Sequence, residues 1–164
     1  MKVTALLGSP KKNGNTAAVL EMVGKELDAH GDSLEVLHMK DYNVSPCHGC
    51  YSCQKNPDAP GCVQDDDSKE IFDKMIQSDA IIYATPLYMW GFAAQLKALI
   101  DRQMCLVRGF MTSDHRSFIE DKPAALLVTC GGPVQNNTES IQNSFDALCS
   151  FLKTKERISQ LTLK

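Results

Sequence analysis

The sequence predicts an α/β protein, a three-layer sandwich with a five-stranded parallel sheet and helices on both faces. Two observations carry this. Short apolar runs alternate with amphipathic runs five times along the 164 residues, and such alternation implies right-handed crossovers into a parallel sheet. Three of the apolar runs end in polar or glycine-bearing loops, at the carboxyl ends of strands where ligands of these sheets bind. The length suits one domain, residues 1–164, with roughly 70% of the unfolded chain's surface buried on folding, and a cysteine-rich insertion at about 40–64.

Val3 to Leu7 is short and apolar like a buried strand. Gly8 to Thr16 follows as a polar loop, and Thr16 to His30 has helical spacing through Val19, Leu20, Val23 and Leu27. Gly31 stands where a C-terminal cap belongs. Ser33 to His38 is an edge-like strand, with His38 read as a strand-end residue. Periodicity then vanishes from Lys40 to Gly61, where Pro46, Pro57 and Pro60 interrupt the chain. Asp65-Asp66-Asp67 supplies charge and capping to a helix over Ser68 to Ser78. Ala80 to Ala84 is a buried strand that ends at Thr85-Pro86-Leu87-Tyr88-Met89-Trp90-Gly91, and Ala93 to Arg102 is again helical. Residues 109–121 form a polar excursion or flap. Ala124 to Cys130 is the next strand, closed by Gly131-Gly132-Pro133. Thr138 to Leu152 is amphipathic, and Glu156 to Leu163 supplies the fifth strand.

Charge excludes one class of partner. A formal net charge of −3 lacks the clustered Lys and Arg excess that a nucleic-acid surface needs. The opening apolar run is too short for a signal-peptide core, and polar residues break the uncharged stretch Ala80 to Leu96. The expectation is a cytoplasmic protein that neither spans a membrane nor binds nucleic acid.

The three marked loops should converge on one crevice. The first, with Ser9, Lys11, Asn13, Asn15 and Thr16 around a helix N-terminus, reads as a phosphate cradle. It matches neither the Gly-x-x-x-x-Gly-Lys-Ser/Thr pattern nor Gly-x-Gly-x-x-Gly, which counts against ATP and dinucleotides. The bland alternative is a long turn in which Asn15 or Thr16 caps the helix. The second loop offers Thr85, Pro86, Leu87, Tyr88, Trp90 and Gly91, with flat groups for an aromatic ring. The third offers the backbone of Gly131 and Gly132. A phosphorylated planar heterocycle suits all three, and FMN suits them better than a dinucleotide. The alternative for Tyr88 and Trp90 is ordinary burial or a subunit contact.

These residues also carry a family resemblance. Gly8-Ser9-Pro10-Lys11-x-Asn13-Gly14-Asn15-Thr16, the cysteine cluster with Asp65-Asp66, Thr85-Pro86-Leu87-Tyr88 and Leu96-Lys97-x-x-Ile100-Asp101-Arg102 resemble the iron–sulfur flavoprotein branch of the NAD(P)H-dependent FMN reductase family. The resemblance runs from Met1 to about Gly132. It implies a flavodoxin-like fold, FMN held by the first loop and by Thr85 to Gly91, and homodimers or homotetramers with flavin near subunit contacts. Asp101-Arg102 fits a structural ion pair.

Seven cysteines without a secretion signal read as thiols, metal ligands or redox groups. Cys47, Cys50 and Cys53 are spaced by two residues each, and Cys62 follows after eight more. Repeated Cys-x-x-Cys with a more distant fourth thiolate suits a [4Fe–4S] cubane. Tetrahedral zinc and metal-free thiols are the alternatives. His48 is read as solvent-facing; Cys105, Cys130 and Cys149 are read as core.

The leading expectation is therefore an FMN-dependent redox protein passing electrons between a [4Fe–4S] cluster, FMN and a small-molecule or protein partner, with no side chain acting as acid or base. One rival is a cluster-free NAD(P)H-dependent FMN or quinone reductase. Another is a metal-stabilised binding module without redox activity.

Overall fold

The computed structural model describes residues 1–56 and 58–156. In chain order the strands are β1 Lys2–Leu7, β2 Ser33–His38, β3 Ala80–Pro86, β4 Val107–Arg108, β5 Arg116–Ser117, β6 Pro123–Thr129 and β7 Lys155–Glu156. The α-helices are α1 Asn15–Ala29, α2 Ser68–Gln77, α3 Ala94–Arg102 and α4 Glu139–Leu152. The first four strands and the four helices of the sequence reading are present, with ends shifted by one or two residues.

The parallel sheet runs in the order β2-β1-β3-β6, with β7 beside β6. The sequence predicts five full strands; among the described residues the sheet has four. β7 contributes only Lys155 and Glu156, paired with Pro123 and Ala124, and the rest of the expected strand lies outside the described residues. Strand order turns at β1, which has β2 on one side and β3 on the other, so the loops after β1 and β3 diverge and leave a crevice between them.

Alternation along the strands sorts the core into two layers. Ala5, Leu7, Ala84 and Leu127 face α1, whose Val19 and Leu20 cover them. Leu6, Ile81, Tyr83, Leu126 and Val128 face the opposite layer, built from Ile71, Phe72 and Met75 of α2, Leu96 and Leu99 of α3, and Ile141, Phe145 and Leu152 of α4. Helices thus lie on both faces, as in a flavodoxin-like sandwich. α1 ends as expected, with Gly31 at φ +77° and the Asp32 N–H returning to the Leu27 carbonyl at 3.0 Å.

Two excursions leave this frame. The cysteine insertion holds one short turn of 3₁₀ helix, Ser52–Lys55. The expected flap is closed at its base by the antiparallel pair β4 and β5, and its Phe110 lies between Tyr51 of the insertion and Phe151 of α4, with ring centroids 6.2 and 6.0 Å away. Among the described residues no helix is long and apolar enough to cross a membrane.

Candidate functional site

A crevice of about 390 Å3 opens beyond the carboxyl ends of β1, β3 and β6. From the loop after β1 it is lined by Ser9, Lys11, Asn13, Gly14, Asn15 and Thr16; from β3 and its loop by Pro86, Leu87 and Tyr88; from β6 and its loop by Thr129, Cys130 and Gly131. Local chemistry positions the first loop. The Gly8 N–H donates to the Ala84 carbonyl at 2.8 Å, and a Cβ at Gly8 would stand 2.7 Å from that of Leu96, so only glycine lets β1 leave the sheet this close to α3. The Ser9 hydroxyl then accepts from the Lys11 N–H at 3.1 Å. Gly14 is the N-cap of α1 and makes no side-chain cap bond, so neither Asn15 nor Thr16 caps the helix. Asn15, Thr16 and Ala17 keep backbone donors that no intrahelical carbonyl can reach. Thr16 Oγ1 instead shares a 2.7 Å hydrogen bond with Thr129 Oγ1, tying the helix start to the end of β6.

In the second loop Tyr88 and Gly91 exchange backbone hydrogen bonds of 3.2 and 3.0 Å. Between them Met89 and Trp90 have φ of 47° and 60°. That is the two-residue turn with both central residues left-handed, normally built from Asn or Gly. Bulky residues held there cost on the order of 1–3 kcal/mol each, a kind of strain that clusters at functional sites. The turn thrusts Met89 and Trp90 outward, 87% and 56% exposed.

Four residues expected at the flavin do not line this crevice. Thr85 is fully buried; its hydroxyl donates to the Pro86 carbonyl at 2.9 Å and accepts the Ala93 N–H at 3.0 Å, so it joins β3 to α3. Trp90 stands outside the lining because of the left-handed turn. Gly91 faces an adjoining groove of about 600 Å3, shared with Tyr88, Met104, Leu148 and Phe151. Gly132 lies against Asn137, and its carbonyl accepts from the Cys130 thiol at 3.3 Å. Thr129 and Cys130 are crevice residues that sequence reasoning missed. Cys130, expected in the core, is buried but also faces the crevice. The available signal was their place as the last residues of an apolar run before two glycines.

A second cavity, of about 300 Å3, is lined by Cys47, Cys50, Cys53 and Cys62 together. His48, Arg102, Cys105, Phe110 and Phe151 are among the other residues of its wall. His48 is exposed as read, though it also edges this cavity. Cys105 is buried as expected, but against these thiols rather than in a purely aliphatic core. Hydrogen bonds from Ser52 lower the pKa of Cys50. Burial raises that of Cys53 and pushes Cys105 up to about 12, with the neighbouring Cys53 and Cys62 adding to the latter. Among the described residues no three His, Cys, Asp or Glu groups are grouped to hold a single metal ion. A cubane would spread four thiolates over four irons, and the four cysteines that border this cavity are the residues that could hold one.

The frame of this cavity is ionic. Arg102 is 1% exposed and clasps Asp66 through both terminal nitrogens, at 2.8 and 3.2 Å. It also donates to the Ser45 carbonyl at 2.9 Å and the Ser68 hydroxyl at 2.7 Å. The pair expected of Asp101 and Arg102 is therefore not formed: Asp101 binds Lys97 at 2.6 Å on the exposed side of α3. The acidic triplet is likewise more than helix charge. Asp66 accepts the Ser68 and Ser45 N–H groups, and Asp67 accepts that of Asn43 at 2.6 Å, fastening the insertion's entry to its exit. Burial works against the Asp66 carboxylate, but the hydrogen bonds from Arg102, Ser68 and Ser45 outweigh it and hold its pKa well below the usual carboxylate range.

The model of the family described as NADPH-dependent FMN reductase matches residues 1–154 of the chain. The chain belongs to that family. An iron–sulfur flavoprotein of Methanosarcina thermophila is 33% identical over 147 residues, covering 89% of this chain and 72% of its own. One from Archaeoglobus fulgidus is 39% identical over 102 residues, covering 62% of this chain and 48% of its own. The chain thus spans between about half and three quarters of the length of these two relatives. Among solved structures, an NAD(P)H:quinone oxidoreductase from Methanothermobacter marburgensis superposes with a TM-score of 0.77 at 18% identity, over 99% of this chain and 86% of that one. That likeness shows the family's flavodoxin-like fold.

Proposed function

We propose that the chain is an FMN-dependent oxidoreductase in which the crevice beyond β1, β3 and β6 takes the flavin and the cysteine cavity takes a [4Fe–4S] cluster. The observation that carries the reading is the convergence of three strand-end loops on one crevice, with uncapped helix donors at one side and Pro86, Leu87 and Tyr88 at another. FMN, when bound, supplies exchange between two-electron and one-electron chemistry, and a cubane supplies one-electron storage.

The residues of the chain do the rest. Asn15 and Thr16 offer backbone donors, and Ser9, Asn13 and Asn15 side-chain groups, to a phosphate. Lys11 adds positive charge at the mouth. Pro86, Leu87 and Tyr88 provide a wall for a flat ring, and the strained Met89-Trp90 turn holds Tyr88 in place. The reading assigns no side chain a proton-transfer role, so the protein's part is binding, orientation and tuning. Cys47, Cys50, Cys53 and Cys62 would ligate the cluster, and Arg102 lies beside it as a fixed positive charge. Tyr88 borders both the crevice and the adjoining groove, and Asp101, Met104 and Phe151 border both that groove and the cysteine cavity. The groove therefore stands between the two sites and is the natural place for the electron donor or acceptor. The names of the relatives support the same assignment.

Iron, acid-labile sulfide and FMN per chain, measured on protein purified without oxygen, test this. Close to four iron and four sulfide with one flavin is the expected result. Flavin without iron or sulfide would replace the reading with a cluster-free NAD(P)H-dependent reductase, and neither cofactor would replace it with a binding module.

A further inference from the structure

The phosphate loop is anchored from an element that the flavin reading does not use. His38 ends β2 with its side chain 10% exposed, and its Nε2–H donates to the Ser9 carbonyl at 2.6 Å. Its Nδ1 lies 3.7 Å from the carboxylate of Asp41, which in turn pairs with Lys12 at 2.7 Å. The residue after Ser9 is Pro10. A proline peptide has no N–H, so the carbonyl is the one hydrogen-bonding group that can fix this peptide plane. The Ser9 hydroxyl is already engaged with the backbone of Lys11, two residues on. His38 thus holds the Ser9–Pro10 peptide near the start of the loop, and Asp41 pairs with Lys12 at its middle, on the surface. Both anchors lie on the segment that leads into α1, so the free donors of Asn15, Thr16 and Ala17 follow directly on a loop held at Ser9 and at Lys12.

We infer that His38 is a positioning residue for phosphate: by fixing the Ser9–Pro10 peptide it aims the loop's donors, and so makes the crevice prefer a phosphorylated flavin over the same flavin without phosphate. This rests on the flavin reading above. It predicts a specific separation, because an anchor for the loop should affect the phosphate and leave the ring's binding alone.

The experiment is a fluorescence titration of the full chain with FMN and with riboflavin, for wild type, His38→Asn and His38→Gln. An Asn amide stops short of the Ser9 carbonyl, whereas Gln reaches the place of Nε2. Expected are tighter binding of FMN than riboflavin by wild type, a roughly tenfold loss of FMN affinity in His38→Asn, the size of one misaligned hydrogen bond, unchanged riboflavin affinity, and recovery in His38→Gln. Wild-type FMN binding by His38→Asn, an equal loss for both flavins, or no recovery with Gln would each overturn the inference. Wild type that binds the two flavins equally would instead overturn the phosphate-loop reading beneath it. Independently of any variant's folding, FMN and not riboflavin should move the His38 ring nitrogen signals in the NMR spectrum of the wild-type chain; a ring that ignores FMN overturns the inference as well.

Discussion

At the scale of single residues, Arg102 and Asp66 have the largest stake in the fold. Both are buried, the Asp66 side chain to 4% exposure, so removing one charge strands the other in a medium that solvates it poorly. Asp66→Asn should cost about 3–5 kcal/mol, measured by urea denaturation. The pH dependence has a definite direction. Because the folded-state pKa of Asp66 lies below the unfolded value of about 3.9, the unfolded chain binds the proton more tightly. The pair's contribution is therefore complete above about pH 4 and is lost as pH falls further toward the folded pKa. Acid titration of wild type against Asp66→Asn should show their stabilities converging only in that acidic window; a constant gap down to pH 2 would contradict the assignment. The sequence could not have joined these two residues. They lie 36 positions apart, and the adjacent Asp101 offered a simpler partner that the structure sends to Lys97.

At the scale of elements, periodicity made the helices and strands legible, and the rule for strand ends made the crevice legible. What it could not settle was where each strand stops. Thr85-Pro86 reads as a turn, yet β3 keeps pairing to Pro86 opposite Thr129, because a proline at the last register position has no N–H that the ladder requires. That extension turns Thr85 into the protein, away from the ligand, and makes it the joint between β3 and α3. Thr85→Val keeps the shape and leaves the buried Ala93 N–H without an acceptor, which should lower stability by about 1–3 kcal/mol. Thr85→Ser should retain most of it. Thermal melts of the two variants decide this, and equal stabilities would mean that the hydroxyl does not fasten the helix. Thr129 and Cys130 escaped notice for the same kind of reason: they continue an apolar run, and only the staggered ends of neighbouring strands reveal which of its residues reach the edge.

At the scale of the whole molecule, a ligand that touches loops after β1, β3 and β6 can bind only when all three strands are in place. FMN at 100 times its dissociation constant should therefore stabilise the fold by about 2.7 kcal/mol. For a chain of this length that is a rise in Tm on the order of 5–10 °C, read by calorimetry with increasing FMN. A melting point indifferent to FMN would argue that the three loops do not act as one site. The cysteine insertion, by contrast, is fastened without its sulfurs: Arg102 binds Ser45 at its entry and Asp66 at its exit, and Asn43 is tied to Asp67. The sulfurs themselves are unequally sheltered: Cys47 and Cys50 face solvent, whereas Cys53 and Cys62 are half-buried. Exposure decides which thiol meets an oxidant first, so the insertion is chemically most vulnerable at the two cysteines that its ionic frame leaves uncovered.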